Sequence, residues 1–426
     1  MTNMQEWLTE HLTKLNLVDE MNYDTGFTRL SYSEEEKQAH ETFRHIALSL
    51  GLEVHQDEAG NQWATWKVDD KVPTVAVGSH VDTVRSGGGY DGVAGVLAGL
   101  ASIKLLKDRD FIPSKNITVI CFASEESARF GVSTIGSKAL TGLLEDNLAE
   151  VKDSDGVSVR EALESYGLTW ENLPNAELRA DELESFLELH IEQGTQIEDH
   201  GADIGVVRGV ACPIRLQVTF SGMANHTGTT PMDKRSDAFV ASAPLIPFVE
   251  EEAKKMNEDA PLPLVATVST VQLSPNVMNV IPGEVTLGID IRSVEDELKI
   301  ELAKRIKSFC EEIERERSVT VTIKTLVDND SVFLDPNIQE TLANVAKQLD
   351  YKPLAMDSGA GHDVMNMATR WPSGLIFIPC QEGISHHPKE YASIEDLEKG
   401  TRMIAEYLRI ETGDEHENNN WRNRTA

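Results

Sequence analysis

Four short β-rich runs, far apart in a 426-residue chain, each lead into histidine or glutamate, and this constrains the fold more than any other feature. TVAVG at 74–78 runs into Ser79, His80, Val81 and Asp82, and ITVICFA at 117–123 into Ser124, Glu125 and Glu126. FLELHI at 186–191 carries His190, and GLIFIPC at 374–380 precedes Ser385, His386 and His387. Helix-like segments such as VAGVLAGLASIKLLK at 93–107 lie between them, a rhythm that predicts a doubly wound α/β sheet flanked by helices. Open sheets of this kind bind ligands beyond the carboxyl ends of their strands, so these histidines and glutamates are expected to converge on one edge.

The length argues for two domains rather than one core. From Ile214 the texture changes to strand (IRLQVTFSG), helix (DAFVASAPLIPFVEEEAKKM), strand (LVATVSTVQL), strand (GEVTLGIDIRS), helix (EDELKIELAKRIKSFCEEIERE) and strand (VTVTIKTL). That βαββαβ order predicts a ferredoxin-like α+β unit, inserted into the first domain because the α/β pattern resumes after about residue 328. The expected domains are therefore 1–212 with 329–412, and an inserted 213–328. The Asn-rich stretch 413–426 is expected to be poorly ordered.

A formal net charge of −32 sets the chain against phosphate backbones and anionic membranes, which excludes nucleic acid as an expected partner. The start, MTNMQEWLTEHLTKLNLV, reads as an amphipathic helix rather than a leader, and no stretch approaches 18 apolar residues. Four scattered cysteines, without CxxC spacing, suggest neither a disulfide framework nor a thiolate metal site. A cytoplasmic protein is expected.

Imidazole and carboxylate ligands suit a divalent metal, and a pair of ions roughly 3.5–4 Å apart needs a shared carboxylate. Asp91, in GGGYDG ahead of the helix, suits that bridge. Asp82, two residues past His80, is placed to accept the second imidazole N–H and fix the tautomer. Glu125 and Glu126 are adjacent and point in different directions, so Glu126 is assigned to the metal and Glu125 to the proton of the attacking water. Each piece alone has an ordinary reading: a surface His-x-Asp pair, a helix start for Glu-Glu, a core histidine for His190, a polar loop for SHHP. The assignment rests on their convergence.

The motifs GSHVDTVRSGGGYDGVAGVLAG, ASEESARFG, ELHIEQG, ANHTGTTPM, MNVIPGEV with DIRS, SGAGHD and GISHHPKEY resemble the hydantoinase/carbamoylase amidase family, over roughly residues 20 to 410. That family includes N-carbamoyl-L-amino-acid hydrolases, allantoate amidohydrolases and β-ureidopropionases, and is related to carboxypeptidase G and aminoacylase. The resemblance implies two divalent ions per subunit (zinc, or manganese, cobalt or nickel), held by His80, Asp91 as bridge, Glu126, His190 and His386, with Glu125 as acid/base. It prefers the first histidine of SHHP over His387. It also implies a dimerisation or lid role for the inserted unit, hence a homodimer, and a small substrate bearing a carboxylate. His226, Asn279 and Arg292 fall on substrate-binding positions of the family: Arg292 for the carboxylate, His226 for the oxyanion. Gln193 and the backbone of Ser358, Gly359 and Ala360 would line the pocket, with His362 and Asp363 close by. The run Ser124-Glu125-Glu126-Ser127 departs from the DEEG seen in related chains, which bears on the pKa of Glu125. Arg85 is expected to sit in solvent. The implied reaction is cleavage of an N-carbamoyl amide; rival readings are allantoate or β-ureido hydrolysis, N-acyl or dipeptide cleavage, and a binding protein without catalysis.

Overall fold

The computed structural model describes residues 3–21, 24–258, 260 and 262–413, so nearly all of the expected C-terminal tail lies outside the described residues. In chain order come helices α1 (Met4–Leu15) and α2 (Glu34–Ser49), strands β1 (Glu53–Gln56), β2 (Gln62–Trp66) and β3 (Thr74–His80), helix α3 (Val93–Asp108), and strands β4 (Asn116–Phe122), β5 (Ser185–Ile191) and β6 (Ile204–Val210). Then follow β7 (Ile214–Ser221), α4 (Leu245–Asn257), β8 (Val265–Ser274), β9 (Glu284–Arg292), α5 (Asp296–Glu316) and β10 (Thr320–Asp328). Strand β11 (Ser373–Ile378) and helix α6 (Ile394–Thr412) close the described chain. It divides into two compact units: Met1–Arg208, Leu334–Met356 and His362–Ala426 form unit 1, and Gly209–Phe333 with Asp357–Gly361 form unit 2.

Unit 1 is built on a mixed sheet in the order β1-β2-β4-β3-β5-β11-β6. Its four central strands β4, β3, β5 and β11 are parallel, whereas β1, β2 and β6 pair antiparallel at the flanks. The sheet is thus mixed rather than wholly parallel. Every residue of β4, β5 and β11 is buried, as strands covered on both faces must be, which is why they read as continuous apolar runs. Helix α3 is apolar almost all round and correspondingly buried. It approaches β5 so closely that a Cβ on Gly95 would lie 2.0 Å from the Leu189 carbonyl oxygen. One apolar core joins α1, α2, α3 and α6 to the sheet.

Unit 2 carries a four-stranded antiparallel sheet in the order β10-β7-β9-β8. Buried and more exposed residues alternate along β7 and β9, and α4 and α5 cover the buried face. This is the βαββαβ arrangement with its first and third strands at the centre. The helix expected over DAFVASAPLIPFVEEEAKKM is broken into Ala238–Ser242 and Leu245–Asn257, because Pro244 brings no N–H to the ladder.

Candidate metal centre

The parallel register of β4, β3, β5 and β11 sets their carboxyl ends side by side, and from that rim the chain gathers two ligand groups: His80, Asp91 and His190, and Asp91, Glu126 and His386. Asp91 belongs to both. Its Oδ1 lies 3.3 Å from His80 Nε2 and 2.9 Å from His190 Nε2, and its Oδ2 lies 3.4 Å from His386 Nε2. Two ligand atoms on a tetrahedral ion at about 2.1 Å sit about 3.4 Å apart, so the His80 and His386 spacings suit a shared cation, while His190 and Asp91 stand at direct hydrogen-bond distance. Glu126 Oε1 is buried without a hydrogen-bond partner, 3.5 Å from His386 Nε2. An orphaned, buried carboxylate oxygen facing imidazoles is costly unless a cation joins it, so the residues present fit a divalent metal.

The second nitrogens of the His80 and His190 rings are also fixed. His190 Nδ1 lies 2.9 Å from the Ile191 carbonyl oxygen, and His80 Nδ1 is 3.1 Å from the Asp82 carbonyl and 3.3 Å from its carboxylate. The Asp82 carboxylate does more than orient His80: it accepts the Glu125 and Glu126 N–H groups at 3.1 and 2.9 Å and the Ser31 hydroxyl at 2.9 Å. Burial pushes its pKa up, but His80 and these donors hold it below the usual value. One carboxylate therefore ties the β3 end to the paired glutamates. Ser124, just before them, adopts a left-handed backbone (φ 56°) and donates its N–H to the buried Glu36 at 2.8 Å. Gly92, at φ 63°, must be glycine: a Cβ there would lie 2.5 Å from the His80 ring.

Burial raises the pKa of Glu125 well above the carboxylate range, opposed by His80, whose Nε2 is 3.7 Å from its Oε2. Burial and then Asp91 raise Glu126 to about 7. The Asp91 hydrogen bond lifts His386 to about 9, and carboxylates raise His80 and His190 although burial alone would lower them. An incoming ion must displace these protons. Apparent metal affinity is therefore expected to rise with pH, by about tenfold per unit per displaced proton, through the range in which Glu126 and His386 lose theirs. Titration of apoprotein between pH 6 and 9 in buffers of different ionisation enthalpy reads the released protons; a pH-independent affinity contradicts the assignment.

The other expected site residues fall as follows. Gln193, also left-handed (φ 58°), donates to Asp91 Oδ2 at 2.6 Å. His362 and Asp363 are buried, the former with its ring 4.5 Å from that of His190. His387 and Arg85 are exposed. Within unit 2, His226 is exposed and pairs across a two-residue ladder with Val280, while the Asn279 carbonyl accepts the Thr227 N–H. Arg292 binds Asp290 through Nε and Nη2 and the Gly359 carbonyl through Nη1, which uses three of its five N–H groups and leaves two. Ala360 N–H donates to the Ser358 hydroxyl, and space beside Gly359 is open. Ser31 and Glu36 went unmarked in the sequence, since nothing there separates them from other surface-type polar residues, and Glu390, although inside the GISHHPKEY motif, was given no role.

Imidazoles and carboxylates gathered on such a rim suit hydrolysis by an ion-activated water, the work of a metallohydrolase. Residues 71–410 match the profile of peptidase family M20/M25/M40, and the chain belongs to that family. It is 35% identical over 380 residues to the N-carbamoyl-L-amino acid amidohydrolase of Geobacillus stearothermophilus (89% of this chain, 92% of the relative). It is 37% identical over 384 residues to a ureidoglycolate hydrolase of Oryza sativa subsp. japonica (89% and 79%), and 35% over 383 residues to the allantoate amidohydrolase of Escherichia coli K12 (89% and 92%). Among solved structures, a hydantoinase/carbamoylase family amidase from Burkholderia multivorans superposes with a TM-score of 0.85 at 27% identity, covering 96% of this chain and 97% of that one. No helix among the described residues is long and apolar enough to cross a membrane.

Proposed function

We propose that the chain is a metal-dependent amidohydrolase that cleaves the linear C–N bond of N-carbamoyl-L-amino acids, working as a cytoplasmic homodimer. The observation that carries this reading is Asp91, one carboxylate facing both ligand groups with Glu125 beside them. His80, Asp91 and His190 would hold one divalent ion, and Asp91, Glu126 and His386 a second. Bound ions supply Lewis acidity toward the carbonyl and lower the pKa of water. Glu125, made more basic by burial, takes the proton of the attacking water and returns it to the departing amine. Asp82 keeps His80 and the glutamate pair in place. In unit 2, Arg292 with its two remaining donors and Asn279 would bind the substrate carboxylate, and His226 the carbonyl oxygen; Gln193 and the Gly359-Ala360 backbone complete the contacts. Unit 1 would thus be the catalytic domain and unit 2 the dimerisation and lid domain. Water adds to the carbamoyl carbon and the amino acid leaves; the carbamate released then breaks down to ammonia and carbon dioxide.

The test compares N-carbamoyl-L-amino acids, N-carbamoyl-β-alanine, allantoate, ureidoglycolate, N-acetyl amino acids and dipeptides on the metal-loaded enzyme, with ammonia release as a second readout. The highest kcat/KM is expected on an N-carbamoyl-L-amino acid. Turnover of allantoate or ureidoglycolate alone would move the substrate within the ureido class, and cleavage confined to N-acetyl substrates or dipeptides would overturn the reading.

A further inference from the structure

Glu390 lies four residues past His386 and is buried to 4% relative exposure, with no part in the ligand groups described above. Its carboxylate is fully employed. Oε1 accepts the backbone N–H groups of Tyr90 and Asp91 at 3.0 and 2.9 Å, and Oε2 accepts the His386 N–H at 3.2 Å and faces the Ser385 hydroxyl at 3.1 Å, whose one hydrogen is shared with Asp91 Oδ2 at the same distance. These four groups belong to two loops almost 300 residues apart, one carrying Asp91 and the other His386. The fit is close: a Cβ on Gly88 would come within 2.2 Å of the Glu390 carboxyl. His386 itself stands at φ 55°, a left-handed backbone that a non-glycine residue holds only when its surroundings enforce it.

We propose that Glu390 is the positioning residue for the second ion: one carboxylate brackets the two loops, so that Asp91 and His386 face each other at the spacing a shared cation needs. The proposal rests on the metal-site reading above and adds a residue to it. Two oxygens receiving three backbone N–H groups from both loops, with the Ser385 hydroxyl beside them, is a task suited to an ionised carboxylate. An amide in its place has one oxygen and one NH2 group. Two backbone N–H groups on the Asp91 side cannot turn to accept, whereas the Ser385 hydroxyl can, so in Glu390→Gln the amide oxygen stays with Tyr90 and Asp91. The NH2 group then meets the His386 N–H donor to donor, and the His386 loop is released.

The consequence is selective. In Glu390→Gln the ion held by His80, Asp91 and His190 should stay, and the affinity for the ion held by Asp91, Glu126 and His386 should fall about 10–100-fold. At limiting zinc or manganese the variant should carry one ion per chain where the wild type carries two. Its kcat should fall with KM little changed, and added metal should restore kcat. A residue that merely supported the fold would lower the melting temperature of the chelator-treated protein, and its lost activity would not return with metal. Zinc and manganese content and titration are measured on wild type, Glu390→Gln and His386→Ala. Both ions held by Glu390→Gln at wild-type affinity, or a kcat loss that metal does not restore, overturns the role of Glu390 alone. A wild type that cannot hold two ions, or a His386→Ala that keeps both, brings down the site reading and this proposal together. If Glu390→Gln does not fold, Glu390→Asp decides: it keeps the charge, but its carboxylate is one methylene too short to reach both loops, so the same ion should weaken in the same direction, and unchanged affinity overturns the proposal.

Discussion

Glu125→Gln should retain the fold and both metals while slowing hydrolysis by about 10²–10⁴-fold in kcat, the range in which a positioned proton carrier contributes. The substitution is nearly isosteric, and the Glu125 contact to Asp82 is made by its backbone N–H, which the change does not touch. What disappears is the basic oxygen. The carboxylate sits 3.7 Å from His80 Nε2, in surroundings that raise its proton affinity, and an amide in its place neither takes nor returns a proton. Metal content by elemental analysis and kcat on the preferred substrate check this together. Intact metal with unchanged turnover would assign the proton to another group.

Asp91→Asn should abolish activity to the limit of detection by emptying both ligand groups. Among the described residues Asp91 alone belongs to both, with Oδ1 toward His80 and His190 and Oδ2 toward His386 and Gln193. An amide presents one weaker oxygen ligand instead of two, and its NH2 group turns a donor toward one of the ions. The fold should survive, because the N–H of residue 91 remains anchored on Glu390. A second signature follows from charge. Asp91 is the next cause after burial of the raised Glu126 pKa, so Glu126 should titrate lower in the variant. Metal analysis with carboxylate titration by NMR reads both effects; a variant that still binds two ions removes Asp91 from the bridging role.

The convergence of His80, Glu125, Glu126, His190 and His386 was legible because buried parallel strands announce themselves as continuous apolar runs, and because ligands gather at their carboxyl ends. The flanking strands were not legible for the converse reason. Glu53–Gln56 is mostly exposed and has no apolar pattern, and Gln62–Trp66 is five residues long, so β1 and β2 acquire their identity from pairing with each other and with β4. The break at Pro244 was visible as a proline but not as the end of a helix, since apolar periodicity runs on through it. Glu36 and the role of Glu390 escaped notice because their partners are backbone N–H groups of Ser124, Tyr90, Asp91 and His386, which leave no trace in side-chain spelling. Asp82 was expected to serve His80; that it also gathers the N–H groups of Glu125 and Glu126 depends on how β3 and β4 end beside each other.

The position of β11 bears on how the protein is made. This strand, near the end of the chain, lies between β5 and β6, which were synthesised some 160 residues or more before it. On the ribosome, β5 must therefore wait with one hydrogen-bonding edge unsatisfied while all of unit 2 emerges, and a long, apolar, open edge invites pairing with foreign strands. Late insertion closes that edge and brings His386 in the same event, so nascent chains stalled short of it would be both sticky and inert.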